Sequence, residues 1–161
     1  MNKATLAATT AVVFAVFGWM VAAKEQAIAS GRTILLELAP ADPRSLMQGD
    51  YMVLRYTIAR EIDEAMFQAA GDGTAIVAVD ANDVASFVRL DDGGPLGPGE
   101  QRLKFQAASE SWRGPTIGAE SYFFEEGRGE HFAEARYGEL IVTDDGDAIL
   151  VGLRETPARR L

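Results

Sequence analysis

The stretch GDYMVLRY, residues 49–56, is where the sequence says most about its fold. Gly49 permits a turn with positive φ, and the residues after it alternate between apolar and mixed character. Because alternate side chains of a strand share a face, we predict a strand over residues 51–60. Its buried face consists of the apolar side chains Met52, Leu54, Tyr56 and Ile58. Tyr51 and Tyr56 are an odd number of positions apart, so they point to opposite faces and cannot together clamp one ligand.

Charged residues surround the glycine turn that precedes this strand. Asp42, Arg44 and Asp50 lie close to Gly49 in the sequence, and two interpretations stay open. They form a charged recognition pocket beside the turn, or they fix the entry to the strand. In the second case Asp42 caps a turn and Arg44 pairs with Asp42 or Asp50.

Further strand patterns, bounded by Gly, Pro and Asp, occupy much of the remaining chain. They cover residues 33–39, 74–80, 84–90, 101–108 and 120–124, and a hairpin of 139–143 and 148–153 across an Asp-Gly turn. We predict a short amphipathic helix over 61–70, one or two helical turns within 130–137, and a flexible loop at 91–100. Residues 32–161 are therefore expected to form one mainly β domain, a small barrel or sandwich with one or two short helices.

Residues 4–23 precede this domain and contain no charge. Twenty helical residues at ~1.5 Å each span about 30 Å, the thickness of a bilayer's hydrocarbon core. Lys3 lies before the run and Trp19 near its far end, where an indole favours the membrane interface. We predict a single transmembrane anchor in the inner membrane, inserted with its N-terminus inside, followed by a polar stem at 24–31. A cleaved secretory signal is the main alternative, although its apolar core is usually ~7–15 residues long. The anchor and the signal both place the domain outside the cytoplasm, in the periplasm or beyond. A buried helix of a soluble protein is the remaining alternative.

The composition excludes several kinds of partner and site. The net charge is −9 and the pI about 4.6, so we expect no nucleic acid, because phosphate neutralisation requires a basic face. Without Lys3, the 15 Lys+Arg become 14 against 24 Asp+Glu, and the domain side carries −10. The absence of cysteine excludes disulfides, thiolate metal sites and a cysteine nucleophile.

A family resemblance rests on the opening motif. The stretch matches the pattern Gly-Asp-Tyr-x-x-Leu-x-Tyr at Gly49, Asp50, Tyr51, Leu54 and Tyr56. On this motif the chain resembles the bacterial GDYXXLXY proteins, and residues 36–38, 42–46 and 120–129 also look like theirs. The resemblance implies one N-terminal anchor, one β-rich extracytoplasmic domain and a multi-spanning membrane protein as a partner. It implies no reaction.

The sharpest enzymatic alternative follows from a resemblance of the Gly-Asp-Tyr strand to signal-peptidase folds. It implies a serine–lysine hydrolase with Ser45 and Lys104 as the dyad. The position where those enzymes carry the serine is occupied here by alanines, Ala39 and Ala41. Lys104 would also need to be desolvated to act as a base.

The remaining chemistry-bearing residues predict no catalytic, cofactor or metal site. Glycoside cleavage requires two carboxylates at a defined separation. The candidates are a group of acidic residues that we interpret as solvated surface: Glu120, Glu125 and Glu126. His131 is the single histidine, a poor basis for a transition-metal site, and 144–147 lacks the spacing of a calcium loop. The aromatic side chains that follow Glu120 are predicted to be core: Tyr122, Phe123, Phe124 and Phe132. The loop 127–129 is either a connector or a contact site.

These observations favour a non-enzymatic function. We expect a membrane-tethered accessory or interaction domain that works with an integral membrane partner, because tethering confines both proteins to one plane. An envelope hydrolase and a small-ligand-binding domain are the alternatives.

Overall fold

The computed structural model describes residues 2–39, 51–66, 71–107 and 114–161. Within them a long helix is followed by strands and two short helices. In chain order the elements are α1 (Lys3–Ser30), β1 (Arg32–Glu37), β2 (Tyr51–Val53), α2 (Thr57–Ala65), β3 (Gly73–Val79), β4 (Ala85–Leu90), β5 (Glu100–Phe105), β6 (Ser121–Phe123), α3 (Gly129–Phe132), β7 (Tyr137–Val142), β8 (Ala148–Thr156) and β9 (Arg159–Arg160).

The strands form three antiparallel sheets. One has the order β1-β7-β8-β9, one is the ribbon β2-β6, and one has the order β4-β3-β5. The first and third sheets are linked at two places. The Leu35 amide donates to the Asp83 carbonyl at 2.8 Å, and the Lys104 amide donates to the Gly146 carbonyl at 2.8 Å. The second bond connects β5 to the turn between β7 and β8.

All three sheets and α2 contribute to one hydrophobic core. Its largest fully buried side chains include Ile34 and Leu36 of β1, Ile62 of α2, Leu103 of β5 and Leu140 of β7. Burial of such side chains is the dominant favourable term in folding. The predicted fold class is confirmed: a long apolar N-terminal helix precedes mostly antiparallel sheets with short helices.

The predicted strand over 51–60 is wrong in its second half. The strand ends at Val53, and α2 begins at Thr57 rather than at residue 61. Ile58 explains the error, because it closes the alternating apolar series and also opens a helical one with Ile62, four positions later. Both isoleucines are buried, at 4% and 0% exposure. Residues 67–70, where the predicted helix ended, lie outside the described residues.

The first helix is longer than the apolar run. It has 28 residues, none of them buried, and a mean hydropathy of 2.0 over its most apolar stretch. The predicted stem 24–31 is helical up to Ser30, and β1 begins two residues later. A β-carbon at Gly31 would clash with the Ile141 side chain and lie 2.8 Å from the Ala27 carbonyl oxygen. The chain therefore passes from helix to sheet through a tightly packed glycine.

The loop at 91–100, predicted to be flexible, is fastened by two arginines. Arg89 forms a bidentate pair with Glu100, with bonds of 2.6 and 3.1 Å. Arg102 bonds Asp91 at 2.9 Å and the Gly94 carbonyl at 3.1 Å. The arginine hydrogen bonds lower the pKa values of the Asp91 and Glu100 carboxyls below their ordinary range. Hydrogen bonds from backbone amides of the loop act in the same direction. Hydrogen bonding to the ionised form thus fixes a segment whose composition is typical of a mobile one.

A buried carboxylate also serves the structure. Glu139, 6% exposed, accepts two bonds from Arg154 at 3.0 and 3.1 Å and lies 3.2 Å from Arg160. The bonds to Glu139 raise the pKa of the Arg154 guanidinium. Because a buried charge requires a partner, this cluster holds β7, β8 and β9 together.

Candidate interaction site

Sequence analysis selected seven candidate residues, from the motif and from the charged group beside its turn. The structure describes three of them, Tyr51, Leu54 and Tyr56. The other four lie outside the described residues: Asp42, Arg44, Gly49 and Asp50. Ser45, the serine of the hydrolase alternative, lies outside them as well. The charged pocket proposed beside the turn is therefore not described, and the site is built from the second half of the motif.

Leu54 and Tyr56 anchor the motif in the core, with exposures of 4% and 5%. The Leu54 amide donates to the Glu120 carbonyl at 2.7 Å, which extends the β2-β6 ribbon by one bond. On the other side, the Ala39 amide donates to the Arg55 carbonyl at 2.7 Å. Residues 54–56 therefore join the end of β1 to the ribbon.

Tyr56 packs on a glycine of the neighbouring sheet. A β-carbon at Gly138 would lie 2.8 Å from Cε1 and 3.2 Å from the hydroxyl oxygen of Tyr56. The hydroxyl donates to the Ala119 carbonyl at 3.3 Å, in agreement with the general rule that a buried tyrosine finds a polar partner. Burial raises the pKa of the Tyr56 phenol well above its ordinary value.

This raised pKa predicts an alkaline limit to stability that depends on Tyr56. The protonated phenol is favoured in the folded state, so its contribution is fully present below about pH 10 and is lost as the pH rises through the folded-state pKa. The free energy of unfolding should therefore fall by up to ~1.4 kcal/mol per pH unit from this group. In Tyr56→Phe that component should be absent. Urea unfolding of the full chain in mild detergent, at about pH 8 and about pH 11, measures the difference.

Tyr51→Phe is the control for this measurement. It makes the same chemical change, the loss of a phenol hydroxyl, at a ring that is half-exposed instead of buried. It should retain the alkaline loss seen in the parent chain. Identical alkaline slopes in Tyr56→Phe and the parent would contradict the assignment.

The opposite side of the ribbon carries an exposed apolar surface. Phe123 is 75% exposed and Val53 36%, and the Tyr51 ring lies 5.6 Å from the Phe123 ring at a tilt of 37°. Tyr51 and Phe123 are directly opposite in the ribbon register. We call these three side chains the ribbon face. An aromatic side chain left in water on a rigid strand pair is a feature of contact surfaces.

The prediction that the aromatic cluster is core is wrong for Phe123. Its three companions do pack inward: Phe132 is buried, Phe124 stacks on it at 5.0 Å, and Tyr122 meets it edge-on at 5.3 Å. Strand alternation across 121–123 was the available signal, because Phe123 must face away from Tyr122.

The ribbon and the long helix are connected to opposite ends of β1. The chain leaves α1 at Gly31 and follows β1 to Leu38 and Ala39, where the Arg55 carbonyl is bound. Seven strand-like steps of ~3.3 Å cover roughly 20 Å. The helix thus joins one end of β1, and the ribbon joins the other.

Lys104 does not meet the requirements of a general base. Its side chain is 46% exposed and forms an ion pair with Asp147 at 3.1 Å. A lysine that serves as a base requires a desolvated side chain, whereas that of Lys104 is half-exposed and bound to a carboxylate. The geometry of Lys104 therefore does not favour the serine–lysine hydrolase.

The other polar candidates are surface groups. Glu120, Glu125, Glu126 and His131 are exposed, and His131 lies edge-on to Phe132 at 5.1 Å. In the loop 127–129, the Arg128 guanidinium lies 5.2 Å above the Phe132 ring, and α3 begins at Gly129. Within the described ranges, no three carboxylate or imidazole side chains converge to hold a metal ion.

Comparison with known proteins agrees with the motif. Searches of curated proteins and of solved structures returned no match. The family model described as GDYXXLXY protein matches residues 13–153, a range that includes most of α1, the whole motif, the ribbon, β7 and the first part of β8. The chain therefore belongs to the GDYXXLXY family.

Proposed function

We propose that this protein is a single-pass, membrane-tethered domain that faces the periplasm and works as an accessory to an integral membrane partner. The observation that carries the proposal is α1: its 28 residues bury no side chain in the domain, although its apolar stretch has a mean hydropathy of 2.0. In water such a helix would expose a long hydrophobic surface, which soluble proteins avoid. A bilayer provides the apolar surroundings that the fold does not.

The junction supports a tether that also orients the domain. Gly31 fits against Ile141 and Ala27 with no room for a β-carbon. With one residue between α1 and β1, the domain is held close to the point where the helix leaves the bilayer. An accessory domain held in this way meets its partner at a high effective concentration.

Charge supports the orientation with the N-terminus inside. Lys3 and the terminal amine precede the apolar run, and the −10 charge follows it. Positive residues near the end of a first helix favour the cytoplasmic side. A reporter enzyme that works only in the periplasm, fused after Leu161 in a bacterial host, should be active. A reporter active only in the cytosol would contradict the topology, and intact-mass analysis of the membrane fraction should find residues 1–23 still attached.

The ribbon face is the surface that we assign to the partner. The ribbon joins the end of β1 opposite to α1, roughly 20 Å along the strand, and we propose that the ribbon face lies above the lipid when α1 is embedded in the membrane. Its exposed side chains are aromatic and aliphatic, and Arg55, two residues after the end of β2, is exposed as well. A complementary segment is an apolar, acidic-flanked extramembrane loop of a multi-spanning protein.

Site-specific photo-crosslinking tests this assignment. A photoreactive phenylalanine in place of Phe123 should yield a crosslinked product in intact membranes, and peptide mapping should place the crosslink in an extracytoplasmic loop of a multi-spanning protein. Phe123→Ser should reduce recovery of the same protein after mild detergent extraction about tenfold, as for a central aromatic contact.

Position 88 provides the matched control, because Val88 is an exposed apolar residue of β4, at 44% exposure, outside the ribbon. A photoreactive residue there should give no such product, and Val88→Ser should leave recovery unchanged. Crosslinks from position 123 only to lipid, only to a second copy of this chain, or equally from both positions would count against the proposal.

A further inference from the structure

A cavity lies beside the junction of the helix and the domain, apart from the ribbon face. It has a volume of about 610 Å³ and is bounded by Lys24 of α1, by the β5 residues Lys104 and Phe105, and by Asp72 and Asp147 from two loops. Its walls come from both the helix and the sheets. The cavity is therefore formed only where the tether meets the domain.

The charged groups of the cavity are balanced in sign. Two of the three lysines of the chain, Lys24 and Lys104, contribute ammonium groups, and Asp72 and Asp147 contribute carboxylates. One Asp72 oxygen accepts a bond from the Ala107 amide at 2.9 Å, and one Asp147 oxygen is 3.1 Å from the Lys104 ammonium. Each carboxylate has a second oxygen, which gives the cavity acceptors beside its donors.

The position of Lys24 in the sequence indicates where this cavity lies relative to the bilayer. Lys24 is the first charged residue after the uncharged run 4–23. If that run fills the hydrocarbon core, Lys24 lies at the boundary where phospholipid headgroups begin. The inference thus rests on the membrane insertion of α1 in the proposed function.

The charge of the surrounding surface disfavours an anionic lipid. The hairpin turn that carries Asp147 also exposes Asp144 and Asp145, and the domain side of the chain has a charge of −10. At the short distance between this acidic surface and the headgroups, a lipid with a net negative charge would be repelled by the protein. A zwitterionic lipid adds no net charge, and the cavity offers lysines for its phosphate and aspartates for its cationic group.

We propose that this cavity binds the headgroup of a zwitterionic phospholipid with a primary ammonium, phosphatidylethanolamine. The lipid phosphate accepts hydrogen bonds from Lys24 and Lys104, in charge-assisted contacts. The lipid ammonium donates to the second carboxylate oxygens of Asp72 and Asp147. A choline headgroup has no N–H and cannot make the second set of bonds, which gives the cavity its selectivity.

Native mass spectrometry of the full chain tests the proposal. The protein is released from nanodiscs that contain phosphatidylethanolamine, phosphatidylcholine and phosphatidylglycerol with identical acyl chains. The ethanolamine lipid should be retained about tenfold more than either of the others. Asp72→Asn combined with Asp147→Asn should abolish its preference over the choline lipid, and Lys24→Gln combined with Lys104→Gln should lower the retention of all three lipids. Soluble glycerophosphoethanolamine, added as a competitor at millimolar concentration, should not displace the lipid, since it lacks the acyl chains that keep the headgroup in place.

Lys3→Gln is the matched control for the lysine variant, because it removes the third lysine at the other end of α1. It should leave both the retention of the lipids and the preference among them unchanged. Every variant should keep the melting temperature of the parent chain, which shows that it is folded. Equal retention of the three lipids, or a preference over the choline lipid that survives Asp72→Asn combined with Asp147→Asn, overturns the inference while the tether stands. Failure of the chain to enter nanodiscs at all overturns the tether and this inference together.

Discussion

Leu54→Ala is expected to lower the free energy of unfolding by about 2–5 kcal/mol, the range for truncation of a buried leucine. Leu54 is 4% exposed and belongs to the core shared by the sheets and α2. Leu54 also lines two surface cavities, with volumes of about 310 and 350 Å³.

Val53→Ala is the comparison for this experiment. Val53 is the preceding residue, 36% exposed on the ribbon face, and its truncation should cost under about 1 kcal/mol because surface changes usually do. Urea unfolding of both variants of the full chain in the same detergent gives the two values. A Leu54→Ala loss below about 1 kcal/mol, or one equal to that of Val53→Ala, would show that the motif leucine is not a core residue.

Gly146→Ala is expected to be about as severe, roughly 2–5 kcal/mol, from two additive causes. Gly146 has φ +89°, where a residue with a β-carbon is strained by about 1–2 kcal/mol. The new carbon would also lie 3.2 Å from the Arg102 carbonyl carbon and 3.2 Å from the Lys104 amide nitrogen. These are backbone atoms of β5, so relief requires a shift of the strand, and overpacking of this kind costs about 1–3 kcal/mol.

Gly127→Ala separates the two causes. Gly127 has a similar φ of +83°, and a β-carbon there meets nothing within 4 Å. Its alanine variant should therefore show the backbone strain alone. Thermal unfolding of both variants should place Gly146→Ala clearly below Gly127→Ala. Equal melting temperatures would mean that the turn does not press on β5.

The importance of Gly146 follows from its position between sheets. Its amide donates to the Thr143 carbonyl at 2.9 Å, which closes the hairpin turn, and its carbonyl accepts the Lys104 amide at 2.8 Å. The Gln101 side chain adds a bond to the Thr143 carbonyl at 2.9 Å. The turn that the Asp-Gly pair predicted is thus also the connection between the first and third sheets.

Much of this fold could be predicted from local sequence pattern. The alternation of Met52, Leu54 and Tyr56 predicted their burial, and the Asp-Gly pair predicted the hairpin, because both signals arise from neighbours in the chain. The boundary at Thr57 could not be predicted in the same way. Ile58 satisfies a strand period and a helix period equally, and only its packing in the core with Ile62 decides between them.

The candidate site shows the same division. The motif predicted Tyr56 as a buried residue, but the sequence contains no sign that Gly138, 82 positions later, provides the space for its ring. Phe123 was assigned to the core because aromatic residues usually are, whereas the ribbon register places it beside Tyr51 and in water. Long-range strand pairing determines which aromatic side chains remain exposed to solvent.

The sequence by itself determined the apolar helix, the β-rich class and the family, because these depend on composition, period and motif within short stretches. Only the tertiary structure decided that the helix enters the sheet through a packed glycine, that Lys104 pairs with Asp147, and that Phe123 is exposed. Each of these depends on residues distant in the chain. Their contacts arise from the pairing and packing of whole sheets, which no local pattern specifies.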